Sequence, residues 1–315
     1  MADNKNESKR AILVTGATGK QGGATIDALV ARGALNDYTL LAVTRDPKSA
    51  AAGKLESRGI TLVQGDLNDC PTLFKNAKTI LGGGKNAQIW AVFSVQVLSE
   101  KEEEKQGKAL IDAALANQVD FFVYSSVDRG GEIRSPTNPT NVPHFVSKHN
   151  IEKHLLAATK STTKNKTDGM KWTILRPVAF MDNLMPGFGT KFIATGWRML
   201  LGEKPIQLIA TKDIGFFAAE ALMRPDEFAG RSMSLASDEL TYKQIDDIFK
   251  ANLGHGLPLT FPWVVRLIMW LSKEVGNMMR WFAAEGYGAN ITAVRAEHPK
   301  ILSLGDWLKQ SPWVE

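Results

Sequence analysis

Two patterns in the chain have the residue types and spacing needed for chemistry: a glycine-spaced turn and a histidine–lysine pair. In the first, Gly16, Gly19 and Gly22 recur every three residues, directly after an apolar run and before a helix-forming stretch. There the first glycine permits a tight turn, the second lets backbone approach a pyrophosphate, and the third lets the helix pack close to the sheet. The amides and positive dipole end of that helix face a dianion. The spacing therefore predicts a dinucleotide site.

The residues after the next two strands indicate which dinucleotide is bound. Arg45 follows the second predicted strand, where NAD-binding proteins usually place a carboxylate, and its planar guanidinium suits a 2′-phosphate. Lys48 adds positive charge, and Asp46 is interpreted as a cap. NADP is therefore favoured over NAD. Asp66 and Leu67 follow the third strand, placed to contact the adenine, although Asp66 fits a helix cap equally well.

The second pattern replaces a common reductase motif. None of the four tyrosines is followed four places later by lysine, which excludes a Tyr-x-x-x-Lys pair. His144 and Lys148 occur at the expected place instead, on one face of a predicted helix. In one interpretation His144 donates a proton and Lys148 binds the nicotinamide ribose. In the other, His144 caps the helix and Lys148 only anchors the cofactor. No spacing of His, Cys, Asp or Glu resembles a metal site.

The elements that must position these residues alternate between strand and helix. The predicted strands of the first half include 11–15, 40–44, 60–64, 121–125 and 172–175. Alternation of this kind predicts an α/β, Rossmann-type fold with a doubly wound parallel sheet. After Pro177 the alternation of strands and helices becomes less regular. We therefore predict an NADP-binding Rossmann domain over residues 1–180 and a smaller, mainly helical substrate or partner domain over 181–315, which returns to the sheet near 206–236.

Two further segments carry specific expectations. Residues 129–143 contain two glycines and three prolines, so neither a helix nor a central strand is expected there. Pro262 opens a long predicted helix that continues to Phe282 with one apolar stripe, made of Trp263, Leu267, Leu271, Val275, Met278 and Phe282. We interpret that stripe as packing on its own domain, rather than as a substrate lid or a membrane-surface helix.

Composition excludes several classes of protein. The 315 residues contain one cysteine, so an internal disulfide framework is excluded and a reducing compartment is favoured. There is no apolar signal region at the N-terminus and no apolar run of about 18 residues. We expect a cytoplasmic protein, with a nuclear location left open. The net charge of +5 is scattered, so neither a nucleic-acid nor a membrane partner is expected.

The glycine turn, the residues after the second and third strands, the His144–Lys148 pair, Leu175–Asn183 and His298–Trp307 follow one another along the chain. This is the order seen in NmrA-like proteins, which the chain resembles over nearly its whole length. That family is an atypical branch of the short-chain dehydrogenase superfamily. The NADP contacts that the resemblance implies are Gly16, Ala17, Thr18, Gly19, Lys20, Gln21, Arg45, Lys48, Asp66, Leu67, Phe93, Ser94, Lys105 and Lys148. The nicotinamide end would be lined by Phe180, Met181, Asp182 and Asn183.

The resemblance implies two functions, since the family includes reductases of aromatic or secondary-metabolite substrates and regulators that bind NADP without turning it over. The first hypothesis is an NADPH-dependent reductase of a small apolar carbonyl, enone or imine. The second is a redox sensor whose affinity for a transcription factor or other protein partner depends on whether NADP(H) is bound. The sequence favours the reductase because His144 is a competent proton donor. A homodimer is left open.

Overall fold

A computed structural model describes residues 9–83, 88–97, 99, 101–161 and 169–314. The strands are β1 (Arg10–Val14), β2 (Tyr38–Thr44), β3 (Thr61–Gln64), β4 (Ile89–Ser94), β5 (Phe121–Ser125), β6 (Lys171–Pro177), β7 (Ala179–Phe180), β8 (Ile206–Ile209), β9 (Ser232–Leu235) and β10 (Asp238–Leu240).

The α-helices are α1 (Lys20–Ala31), α2 (Ala50–Glu56), α3 (Cys70–Ile80), α4 (Glu103–Ala116), α5 (Gly131–Arg134), α6 (Pro143–Ser161), α7 (Phe188–Leu200), α8 (Thr211–Met223), α9 (Pro225–Phe228), α10 (Tyr242–Leu253), α11 (Pro262–Leu271), α12 (Lys273–Ala284), α13 (Ile291–Glu297) and α14 (Leu304–Leu308). No helix among the described residues is both long enough and apolar enough to cross a membrane.

The larger sheet has seven strands in the order β3-β2-β1-β4-β5-β6-β9. The pairs β1–β2, β2–β3, β1–β4 and β4–β5 are parallel. Strand order reverses between β1 and β4, and in such sheets ligands bind beyond the carboxyl ends of the strands at that point. A smaller sheet joins β10, β8 and β7. The predicted Rossmann-type fold is confirmed.

The central strands are apolar along their whole length because both faces of the sheet are covered. All residues of β4 are buried, as are four of the five in β1. This continuous burial is typical of parallel sheets, whose crossover helices cover both sides. It explains why the strands are apolar runs and not alternating patterns.

The chain forms two compact units that interleave along the sequence. The first contains residues 1–125, 151–174 and 215–231, and the second contains 126–150, 175–214 and 232–315. Each has its own apolar core, around Phe74 and Phe122 in the first and around Phe249 and Trp281 in the second. The two domains predicted with a boundary after residue 180 stay a prediction.

Two of the local expectations were wrong. The long helix predicted from Pro262 ends at Leu271. The next residue, Ser272, has an extended backbone and is the N-cap of a second helix, α12. Its side chain accepts a hydrogen bond from the amide of Val275. A one-turn helix, α5, lies within residues 129–143, where none was expected. It begins after Gly130, whose positive φ of 102° permits the sharp entry.

Candidate functional site

The glycine turn after β1 is compact because side chains are absent from it. Gly16 has a φ of +59°, in the left-handed region, and a Cβ there would lie 2.7 Å from Cγ1 of Val95. A Cβ on Gly22 would lie 2.3 Å from the carbonyl oxygen of Gly16 and 2.6 Å from that of Thr15. The first turn of α1 therefore packs directly on the backbone of the turn, at a distance only glycine allows.

The N-terminus of α1 is suited to an anion. Gly19 is its N-cap, and its amide donates a 2.8 Å hydrogen bond to the carbonyl of Gly16. Within the part of the chain that the structure describes, no side-chain cap hydrogen bond closes this end, and no acidic residue lies in the first turn. The first amides of a helix have no partner within it, and the helix dipole is positive at this end. The turn therefore presents donors and positive potential to a phosphate.

Thr15 holds the ends of β1 and β4 together. Its hydroxyl accepts from the amide of Val95 at 2.8 Å, and its own amide donates to the carbonyl of Phe93 at 3.0 Å. Phe93 and Ser94 have no exposed surface, and the Ser94 hydroxyl accepts from the side-chain amide of Gln96. In this conformation Phe93 and Ser94 are part of the sheet, and their contact with a cofactor stays a prediction.

Gln21 is held by a residue that the sequence did not pair with it. The hydroxyl of Ser125, at the end of β5, donates to Oε1 of Gln21 at 2.5 Å. The two residues are 104 positions apart, so no local spacing pairs them. The bond fixes the first turn of α1 against β5.

The cations after β2 are exposed. Arg45 directly follows β2, and within the described residues no carboxylate forms an ion pair with it. Asp46 Oδ1 accepts from the amide of Lys48 at 2.9 Å and so closes the turn before α2. The N-cap of α2 is Ser49, whose hydroxyl accepts from the amide of Ala52, so the interpretation of Asp46 as a cap is wrong. Because that carboxylate binds backbone, the Arg45 guanidinium is left for an anionic ligand.

Asp66 is exposed after β3. Its Oδ1 accepts from the amide of Asn68, whereas the N-cap of α3 is Asp69, which accepts from the amide of Thr72 at 3.1 Å. The alternative in which Asp66 caps the helix is therefore wrong. Hydrogen bonds from Thr72 hold the pKa of Asp69 below its usual value.

The remaining residues implied for the first unit differ in exposure. Ala17 is buried, whereas Thr18 is exposed. Leu67 is half-buried against the core of the unit, and Lys105 is exposed on α4 with its ammonium 3.8 Å from a carboxylate oxygen of Glu102. Exposed ion pairs of this kind contribute little, so Lys105 can turn to another anion.

In the second unit, His144 is paired with a carboxylate. Glu274 on α12 accepts from the amide of His144 at 3.2 Å, and its other oxygen contacts Nδ1 of the His144 ring. Both side chains are largely buried, at 12% and 17% exposed. Glu274 thus caps α6, a role assigned to His144 in one interpretation. With Nδ1 engaged, Nε2 is the nitrogen available to exchange a proton with a substrate. Lys148 lies one turn further along α6 and is half-buried.

The segment implied for the nicotinamide end has mixed environments. Asp182 accepts from both the amide and the hydroxyl of Thr211, at 2.8 and 2.7 Å, and so holds the start of α8. Met181 is fully buried in the core of the second unit. Phe180 is half-buried and Asn183 is exposed, so these two present side chains that a ligand can contact.

A buried carboxylate organises the segment after β5. Asp128 has no exposed surface and accepts from the amides of Gly130, Gly131 and Gly288 at 2.9 Å. Burial of the Tyr287 side chain raises the pKa of its hydroxyl, and the nearby negative charge of Asp128 raises that pKa further. No local pattern in the sequence signals this arrangement, because Gly288 is 160 residues away from Asp128.

Arg129 completes that arrangement. It is fully buried, and its guanidinium donates to the carbonyls of Val127, Ser135 and Asn138 at 2.8 to 2.9 Å. These bonds fix the path of residues 129–143 from inside. An irregular segment is thereby given a defined shape.

The model of the NmrA-like family matches residues 8–302. The chain belongs to this family. It is 26% identical over 265 residues to ptmS, an NmrA-like family domain-containing oxidoreductase of Penicillium ochrochloron. The aligned region covers 79% of this chain and 74% of the relative.

Two solved structures share the fold. An NADPH-dependent quinone oxidoreductase of Escherichia coli, complexed with NADPH, superimposes with a TM-score of 0.69 at 19% identity, covering 95% of this chain and 99% of that one. The negative transcriptional regulator NmrA, in complex with NADP, superimposes with a TM-score of 0.64 at 18% identity, covering 98% and 100%. The fold therefore occurs in both an enzyme and a regulator.

Proposed function

We propose that the protein binds NADP(H) through the glycine turn of its first unit. The observation that carries this proposal is the pair of cradle positions, Gly16 and Gly22, where any Cβ would meet neighbouring atoms within 2.7 Å. The uncapped N-terminus of α1 would hold the pyrophosphate. Arg45, exposed and without a carboxylate partner among the described residues, would hold the 2′-phosphate, with Lys48 adding charge.

We further propose that the protein is a reductase of a small apolar carbonyl, enone or imine. NADPH, when bound, supplies the hydride. His144 would donate the proton from Nε2, while the Glu274 carboxylate holds the ring by Nδ1 and fixes its orientation. Lys148 would bind the nicotinamide ribose. The name of the Penicillium relative, an oxidoreductase, supports this assignment.

Calorimetric titration with NADPH and NADH tests the cofactor. The intact protein should bind NADPH more tightly than NADH. Arg45→Ala should weaken NADPH binding about tenfold to a hundredfold, the range for a charge-assisted hydrogen bond, and leave NADH binding unchanged. Lys54→Ala, an exposed lysine on α2, is the matched control. Unchanged NADPH affinity in Arg45→Ala would show that another residue recognises the phosphate.

Turnover separates a reductase from a regulator. NADPH oxidation is followed with quinones, enones, aldehydes and imines as acceptors. His144→Ala should lower kcat about a hundredfold with an unchanged Kd for NADPH. NADPH binding without reduction of any acceptor would contradict the reductase. It would favour the redox sensor, which predicts a protein partner whose affinity differs between the NADP and NADPH forms.

A further inference from the structure

The exposed side of α11 is apolar. Trp263, Leu267, Trp270 and Leu271 are between 44% and 79% exposed, and their spacing puts them on one helix face. The opposite face carries Val265, which is fully buried. The helix is therefore apolar on both sides, and the expectation that its stripe packs on its own domain is wrong for three residues: Trp263, Leu267 and Leu271. A contiguous exposed apolar patch marks an interaction site.

The exposed apolar patch of α11 lies on a helix that packs closely against its neighbours. A Cβ on Gly196 of α7 would lie 3.2 Å from Sδ of Met279 on α12. A Cβ on Gly276 of α12 would lie 2.4 Å from the carbonyl oxygen of Met269 on α11. These glycines let the three helices approach each other, so the exposed side chains project from a fixed support.

The charges on the same three helices have one sign. The exposed charged side chains of α7, α11 and α12 are Lys191, Arg198, Arg266, Lys273 and Arg280. The only acidic residue of these helices, Glu274, is engaged with His144. The surface is therefore basic with no exposed carboxylate on the helices, and an anionic partner is complementary to it.

A pocket combines both properties. Its volume is about 420 Å³, and its lining residues are Met199, Leu200, Arg266, Met269, Trp270 and Arg280. Among the described residues no carboxylate pairs with either guanidinium, and Arg280 donates only to the side-chain carbonyl of Asn277. A phosphate can therefore bind the two arginines while an apolar chain lies against the methionines and the indole.

We propose that the face formed by α7, α11 and α12 binds the surface of an anionic phospholipid membrane. Trp263, Trp270 and their leucine neighbours would lie at the boundary between headgroups and acyl chains, as the apolar face of an interfacial helix does. Arg266 and Arg280 would bind a lipid phosphate. This attachment is peripheral and differs from the sequence-based expectation of no membrane partner.

A second copy of the chain fits this face less well. Symmetric pairing places the same patch on both subunits, so the cations of one copy would oppose those of the other. Like charges brought together without a carboxylate between them are unfavourable. A lipid surface supplies the missing negative charge and accepts the indole rings.

Vesicle flotation tests the proposal with the intact protein. We expect it to float with vesicles of equal parts phosphatidylcholine and phosphatidylserine, and far less with phosphatidylcholine alone. Trp263→Ala with Trp270→Ala should weaken binding at least about tenfold, because each ring removes apolar area from water on insertion. Tryptophan emission should shift to the blue on binding in the wild type and much less in this variant.

A charge-matched pair distinguishes the site from general attraction. Arg266→Gln with Arg280→Gln should weaken binding to the anionic vesicles at least about tenfold, since each basic residue at such a surface contributes roughly a factor of five. Lys54→Gln with Lys75→Gln, exposed residues of the first unit, removes the same charge and should change binding less than about twofold.

Three outcomes would overturn the proposal. The first is no flotation with either vesicle. The second is that the two charge-changing pairs weaken vesicle binding equally, which would show that binding depends only on the net charge of the protein. The third is a dimer, measured by light scattering, that dissociates in the double tryptophan variant, which would show that a second copy covers the face. All the altered side chains are exposed, so unchanged thermal unfolding serves as the check on folding.

Discussion

Two irregular segments follow strands of the sheet, and the molecule shapes them in opposite ways. The turn after β1 is formed by glycines, whose missing side chains let α1 pack on the backbone of Gly16. The segment after β5 is formed by buried charged side chains, Asp128 and Arg129, which bind backbone amides and carbonyls from inside. Both arrangements position backbone groups, but one needs empty space and the other needs charge.

The difference bears on what each segment is suited to bind. The glycine turn leaves its amides without side-chain acceptors and so suits an anionic ligand. The amides of Gly130, Gly131 and Gly288 are already taken by Asp128. The second segment is therefore a structural support, and its amides are not available as an anion site.

The largest effect is expected from removing Asp128. Asp128→Ala leaves three amides without their acceptor, and of these three hydrogen bonds one is buried and two are partly buried. A buried donor left without a partner costs about 1–3 kcal/mol. We expect the free energy of unfolding to fall by about 4 kcal/mol, measured by urea denaturation. Asp46→Ala removes an exposed carboxylate that binds one amide, and should cost about 1 kcal/mol or less. If both variants lose the same free energy of unfolding, the segment after β5 does not depend on its buried charge.

A slightly smaller effect is expected from filling the glycine turn. Gly22→Ala places a methyl group 2.3 Å from the Gly16 carbonyl oxygen, so the turn and α1 must separate. We expect a loss of about 3 kcal/mol in the free energy of unfolding and loss of NADPH binding.

Gly23→Ala is the matched control, one residue further along the same helix. A Cβ there would make only an ordinary contact, 3.5 Å from the carbonyl oxygen of Ala17. Alanine also favours helix, so this variant should be neutral or more stable by about 0.5 kcal/mol. If both variants bind NADPH like the wild type, the glycine turn is not the phosphate site.

The third prediction concerns the ion pair of the second unit. Glu274→Gln keeps an oxygen for the His144 amide but removes the charge beside the ring. If Glu274 positions His144, kcat should fall about tenfold to a hundredfold, the pH–rate profile should change, and the Kd for NADPH should stay constant. Glu285→Gln, just beyond the other end of α12, is the charge-matched control. Loss of stability with an unchanged pH profile would show a structural role only.

The sequence predicted what is encoded locally. The positions of β1, β2 and β5 and the glycine turn follow from apolar runs and short spacings, and the structure reproduces them within about two residues. The pairing of His144 with Glu274 joins residues 130 positions apart, and nothing local specifies it. The break at Ser272 was missed because the apolar period continues across it while one serine supplies the cap.

The smallest effect tests whether side chains contribute to the glycine turn at all. Ser125→Ala removes the 2.5 Å hydrogen bond to Gln21, which we expect to cost about 1 kcal/mol of unfolding free energy. Ser57→Ala, an exposed serine whose hydroxyl donates to the carbonyl of Lys54, should cost a few tenths at most. If empty space shapes the first segment, Ser125→Ala must cost much less than Asp128→Ala. A cost near 4 kcal/mol would mean that both segments depend on buried polar side chains, and that glycine spacing alone does not specify the turn.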